Sequence, residues 1–130
     1  MYFDWPFVEK QLISIVDLIN DSHQSLIRGN INKVSLNDDK INKYLRRITS
    51  IFRNLCKVDN IHILRLGMHQ LTNVQDIVRQ YLTFFESNVE VLDAELPVRS
   101  QIEGNDNELV SMQYEIGTLY KKLIAKRIMS

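Results

Sequence analysis

The stretch that decides the fold is residues 60–96, which read NIHILRLGMHQLTNVQDIVRQYLTFFESNVEVLDAEL. Apolar residues recur there in steps of three and four, and only Gln75 interrupts the series. The series comprises Ile61, Leu64, Met68, Leu71, Val78, Leu82, Phe85, Val89, Leu92 and Leu96. A heptad repeat of this kind places one apolar seam along a helix. We therefore predict a long, coiled-coil-like helix that ends before Pro97, because proline removes a backbone donor and clashes with the preceding turn.

The whole composition predicts an all-α protein. The chain has 130 residues, 45% of them hydrophobic, with only four glycines and two prolines. This size suits one domain with a sizeable core, and the scarcity of turn residues disfavours an all-β fold. We expect a single helical domain over residues 1–130, folded as a mostly antiparallel four-helix bundle. The predicted helices span about residues 5–28, 38–58, 60–96 and 106–129, with a polar linker at 97–105.

Helix boundaries are predicted from capping residues. Asp4 and Pro6 suit a first turn, and Gly29 suits a helix end. The second helix is predicted to begin after a cap at Ser35 or Asn37, and the fourth after a cap at Asn105 or Asp106.

The third predicted helix is overlong, at about 55 Å for a rise of ~1.5 Å per residue. It could break at Gly67, a weak helix former, or at Asn73, a possible cap, which would give five helices. The apolar seam keeps its phase across both positions, which favours one continuous helix.

The third helix carries more apolar residues than a single heptad seam needs, which indicates a candidate binding surface. Residues 77–92 carry a second apolar line beside the seam, so this segment is either central in its own bundle or covered by another chain. The aromatic residues near the N-terminus could likewise pack within the chain or anchor a partner protein. The candidate partner-binding residues are Tyr81, Phe84, Phe85, Val91, Leu92 and Trp5.

Charge is balanced overall, with 16 basic and 16 acidic residues, but it is unevenly placed. Residues 40–65 carry seven bases and one acid, and residues 86–108 carry seven acids and one base. The candidate basic patch on the second helix is Lys43, Arg46, Arg47, Arg53 and Lys57. These cations could be solvated or paired within the chain, could meet a protein partner, or could track nucleic-acid phosphates.

Catalytic and metal-binding patterns are not recognisable in the sequence. His23, His62 and His69 lie in no known motif, Cys56 is a single cysteine, and no glycine-rich phosphate loop occurs. Catalytic triads and zinc sites need several such groups brought together. We therefore expect no enzyme, no metal, no cofactor and no small-molecule substrate.

The sequence favours a non-catalytic helical protein–protein interaction module, such as an adaptor or a small subunit of a larger assembly, or a homo-oligomer through the third helix. The alternative is a nucleic-acid-binding module that uses the basic face of residues 40–57. No stretch approaches the roughly 20 apolar residues that span a bilayer. The absence of a signal-peptide pattern and the single cysteine favour a reducing intracellular compartment, the cytoplasm or the nucleus.

Overall fold

The computed structural model describes residues 3–88, 90–92 and 99–129, with the backbone alone at residues 99–101 and 129. Four long helices account for most of these residues: α1 (Trp5–Ile27), α2 (Ile31–Leu55), α3 (Ile61–Ser87) and α4 (Arg99–Met129). Residues 90–92 are also helical, and no β-strand occurs within the described ranges. The prediction of an all-α helical bundle is confirmed.

The helices pack as two antiparallel hairpins laid side by side. The most extensive contacts join α1 to α2 and α3 to α4, and the hairpins meet through α1 on α3 and α2 on α4. The Trp5 ring at the start of α1 lies 5.8 Å from the Phe52 ring near the end of α2. Gln75 of α3 donates to Gln113 of α4 at 3.0 Å, which uses the one polar position in the seam to join these two helices.

The first helix begins at the predicted residue and ends one residue before the predicted end. The Asp4 carboxylate accepts from the Phe7 amide at 3.0 Å and so caps α1. Gly29 has a φ of +74°, a left-handed conformation that favours glycine at a helix end. The side chain of the next residue, Asn30, accepts from the Lys33 amide at 3.1 Å and caps α2.

The predicted start of α2 is therefore wrong by seven residues. Ser35 and Asn37 are not caps but lie inside α2, which begins at Ile31. The polar residues that suggested a loop are accommodated by the helix, since Asn37 is fully buried against α1. Asn30 is the better cap because it directly follows the turn at Gly29.

The third helix is shorter than predicted. It runs without a break through Gly67 and Asn73, as the phase of the seam indicated, but it ends at Ser87 rather than at residue 96. The Asn88 side chain donates to the Phe84 carbonyl at 2.9 Å, which competes with continuation of the helix. Residues 93–96 and 97–98, where a helix end and part of a linker were predicted, lie outside the described residues.

The linker prediction is wrong for residues 99–105, which form the first turns of α4. Ile102 is fully buried and anchors this segment in the core. Asn105, predicted as a cap, instead lies inside the helix. With 31 residues, α4 rather than α3 is the longest helix of the described chain.

A single buried cluster draws residues from all four helices. The cluster includes Val8 and Ile15 of α1, Val34, Ile41, Leu45, Ile48, Phe52 and Leu55 of α2, Leu64, Leu71, Val78 and Phe85 of α3, and Ile102, Leu109, Met112 and Ile116 of α4. Gly67 is buried where α3 approaches α2, and a Cβ there would overlap the Leu55 side chain. Close approach of the two helices, rather than a helix break, explains this glycine.

Candidate functional site

Four of the six residues predicted to bind a partner lie inside the bundle. The exposed fractions of Tyr81, Phe84 and Phe85 are 0%, 2% and 2%, and Leu92 is fully buried. The three rings pack on one another with centroids 4.9–6.0 Å apart. The prediction of an exposed apolar surface at these positions is wrong, because α1 and α2 pack over this end of α3.

The other two residues predicted to bind a partner, Trp5 and Val91, differ in how far they are exposed. Trp5 is half-buried, with the Phe3 ring stacked on it at 5.4 Å and the Phe52 ring of α2 at 5.8 Å. Local packing, one of the two alternatives open for the N-terminal aromatics, therefore accounts for Trp5. Val91 is 46% exposed.

A buried carboxylate, Asp38, connects three helices. The Tyr81 hydroxyl of α3 donates to Asp38 Oδ1 at 2.6 Å, and Asn42 Nδ2 donates to Asp38 Oδ2 at 2.9 Å. Asn42 Oδ1 in turn accepts from Asn105 Nδ2 of α4 at 3.2 Å. We call these four residues the Asp38 cluster. Because each buried polar group needs its partner, the cluster fixes the register of α2, α3 and α4.

Electrostatics of the Asp38 cluster follow from its burial. Desolvation raises the pKa of the Asp38 carboxyl to about 6, although the hydrogen bonds from Tyr81 and Asn42 act in the opposite direction. Burial and the nearby Asp38 charge also raise the pKa of Tyr81 above its ordinary range. Asp38 is only 1% exposed, so its carboxyl can exchange a proton but cannot reach a substrate.

A second polar contact joins α1 and α2. Asn37 Nδ2 donates to Asp21 Oδ2 at 2.8 Å and to Ser22 Oγ at 3.1 Å. Sequence reasoning missed this contact and the Asp38 cluster because residues 37 and 38 were assigned to a helix start. A signal was present, however: Asp38 falls in the four–three series of core positions Val34, Asp38, Ile41, Leu45, Ile48, Phe52 and Leu55.

The predicted basic patch lies on the outer face of α2 and, at Lys57, in the turn that follows this helix. Its members are all exposed: Lys43, Arg46, Arg47, Arg53 and Lys57. Lys40, Lys43, Tyr44 and Arg47 line a shallow depression on this face. Arg53 lies on the α4 side of the helix, where it forms an ion pair with Glu108. One member of the patch therefore has an acidic partner within the chain.

A second seam, which sequence reasoning missed and in which four of six residues are apolar, runs along the outer edge of α4. We call it the outer seam, and its residues recur in steps of four and three: Val110, Tyr114, Gly117, Lys121, Ile124 and Ile128. The exposed fractions of Val110, Tyr114 and Ile128 are 45%, 78% and 79%. Met68 of α3 and the first four seam residues line an open groove between α3 and α4.

The core-facing side of α4 contributes few buried side chains. Ile102, Leu109, Met112 and Ile116 are buried, but no described side chain after Ile116 is. The spacing of the outer seam is visible in the sequence, but Ile124 and Ile128 also continue a second stripe of apolar residues, Leu109, Met112, Ile116, Leu119 and Leu123. The two faces overlap on one helix, and spacing alone does not say which face the core covers.

Reactive side chains are scattered over the described part of the chain. His62 and His69 are exposed on α3, and the His23 ring packs edge-on against Phe84 with centroids 4.5 Å apart. Burial, together with Glu115, raises the pKa of the Cys56 thiol to about 11. Among the described residues, no three or more histidine, cysteine or acidic side chains are grouped so that they could hold a metal ion.

Comparisons with protein-family models, with curated proteins and with solved structures found no match to this chain. In the parts of the chain that the structure describes, no helix combines the length and the apolarity needed to cross a membrane. Function must therefore be inferred from the surfaces that the fold exposes.

Proposed function

We propose that this chain is a non-catalytic helical interaction protein, an adaptor or a subunit of a larger assembly, and that it binds through the outer seam of α4. The observation that carries the proposal is the exposure of Val110, Tyr114 and Ile128 on one edge of a helix whose opposite edge faces the core. Apolar side chains aligned over several turns gain free energy when a partner removes them from water, at roughly 25 cal/mol per Å².

The buried aromatic residues do not compete for this role. Tyr81, Phe84 and Phe85 stabilise the bundle itself, so the interaction surface moves from the predicted segment of α3 to α4. The closed Asp38 cluster supports a non-catalytic role, since its titratable carboxyl lies beyond the reach of a substrate. We place the chain in a reducing compartment, the cytoplasm or the nucleus, because its single cysteine leaves no internal disulfide.

The proposal is tested by the size of the native assembly in extracts of cells that produce the protein. We expect the chain to elute well above its own mass of 15.3 kDa and Tyr114→Asp to shift it towards that mass. The matched control is Asn20→Asp on the exposed face of α1, which adds the same charge away from α4. Identical elution of the wild-type chain and Tyr114→Asp would contradict the proposal.

A second candidate function is nucleic-acid binding by the basic face of α2. The depression formed by Lys40, Lys43, Tyr44 and Arg47 favours it, because three cations converge beside one aromatic ring. Binding would then weaken steeply with salt and be lost in Lys43→Glu with Arg47→Glu. Binding that does not change with salt, or no binding of single- or double-stranded oligonucleotides at low salt, would eliminate this candidate.

A further inference from the structure

The depression on the outer face of α2 carries positive charge that the chain itself does not neutralise. Three cations and one phenol line it: Lys40, Lys43, Arg47 and Tyr44. None of these four side chains forms a hydrogen bond or an ion pair with any residue that the structure describes. Arg53 of the same helix, in contrast, is paired with Glu108 of α4. The depression is therefore a place where three positive charges meet without a counter-charge.

The exposed residue Asp39, which adjoins Lys40 in sequence, does not fill this role. It precedes Lys43 by four residues, a spacing at which two side chains on a helix can meet. No ion pair joins the two side chains, however. Asp39 lowers the positive potential at one edge of the depression and leaves its centre open.

The three cations form a compact group rather than a track. Lys40, Lys43 and Arg47 follow one another in steps of three and four, so they span about 10 Å at a rise of ~1.5 Å per residue. The same face of α2 continues with the neutral residues Leu36 on one side and Ser50 on the other. A compact group suits one multiply charged anion, whereas a nucleic-acid strand is bound by cations that follow several phosphates.

A phosphoryl group has the charge and the size that the depression fits. Attached to a side chain, it carries about −1.5 to −2 charge at neutral pH and three acceptor oxygens, whereas a carboxylate carries a single charge. Lysine and arginine donate charge-assisted hydrogen bonds to such oxygens, and the Tyr44 hydroxyl can add another. The depression has a volume of about 280 Å³, below the ~300–1,000 Å³ of sites that enclose a whole small molecule. It therefore fits one end of a larger ligand.

An exposed leucine beside the depression indicates that the larger ligand is a protein. Leu36 is 59% exposed and precedes Lys40 by one turn on the same face of α2. A polypeptide can place an apolar side chain next to its phosphorylated residue, and contact with the leucine would then remove apolar surface from water. A nucleic-acid strand that continued along α2 would instead set a phosphate over Leu36 or Ser50, where no cation meets it.

We propose that the depression of α2 binds a phosphorylated segment of a partner protein. Lys40, Lys43 and Arg47 hold the phosphoryl group, and an apolar neighbour in the segment packs on Leu36. The site lies on a different helix from the outer seam, so the chain would have two interaction surfaces, as an adaptor requires. The inference does not depend on the outer seam, and each proposal can fail while the other stands.

Fluorescence anisotropy of the purified full chain with three labelled libraries of short peptides tests the site. The flanking residues are degenerate, and the central residue is phosphoserine, serine or glutamate. We expect the phosphoserine library to bind at least about tenfold more tightly than the other two, because each charge-assisted hydrogen bond contributes about that factor. Lys43→Gln combined with Arg47→Gln should abolish this preference. Equal binding of the three libraries would overturn the proposal, and so would a preference that survives both substitutions.

The matched control removes two cations elsewhere, by Lys122→Gln combined with Lys126→Gln on α4. This variant should keep the preference for phosphoserine, and so should Tyr114→Asp, which alters only the outer seam. All the substituted residues are exposed, so circular dichroism should show unchanged helical content in each variant. Loss of the preference in the α4 control would show that it depends on net charge alone, which would overturn the site.

Sequencing of the phosphopeptides that the chain retains tests the choice of partner. We expect an apolar residue to be enriched at one position beside the phosphoserine and this enrichment to disappear in Leu36→Ala. A retained pool without such enrichment would contradict the contact with Leu36. Displacement of the labelled peptides by an oligonucleotide without terminal phosphates, at a lower concentration than an unlabelled phosphopeptide requires, would assign the depression to nucleic acid and overturn the proposal.

Discussion

The Tyr81 hydroxyl donates a 2.6 Å hydrogen bond to Oδ1 of Asp38, and both side chains are almost fully buried. This bond joins the end of α3 to the beginning of α2 across the centre of the bundle. It places a carboxyl group among apolar side chains, with Asn42 on its other oxygen. The stability of the fold therefore depends on one polar group whose charge is not fixed near neutral pH.

Tyr81→Phe should lower the free energy of unfolding by roughly 1–3 kcal/mol, because it removes one donor from a buried acceptor without changing the ring. The measurement is urea unfolding at neutral pH. Tyr114→Phe is the matched control: Tyr114 is 78% exposed, so its change should stay within about 0.5 kcal/mol. Equal stability of the two variants would contradict the role given to this bond.

Asp38 should make the fold less stable as the pH rises. Its pKa is about 6 in the folded chain and has the ordinary value of 3.8 in the unfolded chain. Between these values the folded state binds more protons at this group, so the free energy of unfolding falls with rising pH. Asp38→Asn should remove this pH-dependent contribution. The free energy of unfolding of Asp38→Asn, relative to that of the wild type, should therefore increase between pH 3.8 and about 6 and level off above that range.

The exposed residue Asp76 supplies the control for this titration. Asp76→Asn makes the same carboxyl-to-amide change on the surface of α3 and is measured alongside Asp38→Asn. Parallel stability curves for Asp38→Asn and the wild type between pH 3.8 and about 6 would contradict the raised pKa of Asp38.

Gly67→Ala should destabilise the fold although alanine is the better helix former. The new Cβ would overlap the Leu55 side chain, which is fully buried and has little room to move. We expect a loss of roughly 1–2 kcal/mol by chemical denaturation, partly recovered when Leu55→Val is added. Gly104→Ala, with open space around the new methyl group, should instead stabilise by up to about 1 kcal/mol. Stabilisation by both alanines would show that α3 does not approach α2 closely at Gly67.

Cys56 should be a slow nucleophile in the folded chain. Raising its pKa from 9.0 to about 11 lowers the thiolate population roughly 100-fold at neutral pH, and alkylation by iodoacetamide should slow accordingly relative to the urea-unfolded chain. Glu115→Gln should speed the reaction, since Glu115 helps to raise the pKa. Glu9→Gln on the exposed face of α1 should not. Equal rates in the folded and unfolded chains would contradict the burial of this thiol.

The heptad seam was sufficient to predict the bundle, because apolar residues in three–four steps over 37 positions are stable only when other helices cover them. The seam did not indicate whether helices of the same chain or another protein cover each side of α3. Tyr81 and Phe84 were assigned to a partner surface for this reason, although α1 and α2 cover them. The same ambiguity concealed the outer seam, which shares α4 with a core-facing stripe.

Helix boundaries were harder to predict, because polar residues both cap helix ends and form hydrogen bonds between helices. Asn37 suggested a cap, yet it lies within α2 and bonds to Asp21 and Ser22. Asn105 also suggested a cap, and it reaches Asn42 from the second turn of α4. Short-range sequence rules favour such residues at helix ends, and only the tertiary contacts of each side chain decide otherwise.

Photo-crosslinking from position 114 in cells tests most directly whether the outer seam is an interaction surface. A benzophenone amino acid replaces Tyr114 in one variant and Asn20, on the exposed face of α1, in the other. We predict a discrete protein adduct from position 114 and none from position 20, and the mass of that adduct identifies a second copy or another protein. No adduct from position 114, or the same adducts from both positions, would contradict the assignment of the outer seam as the binding surface.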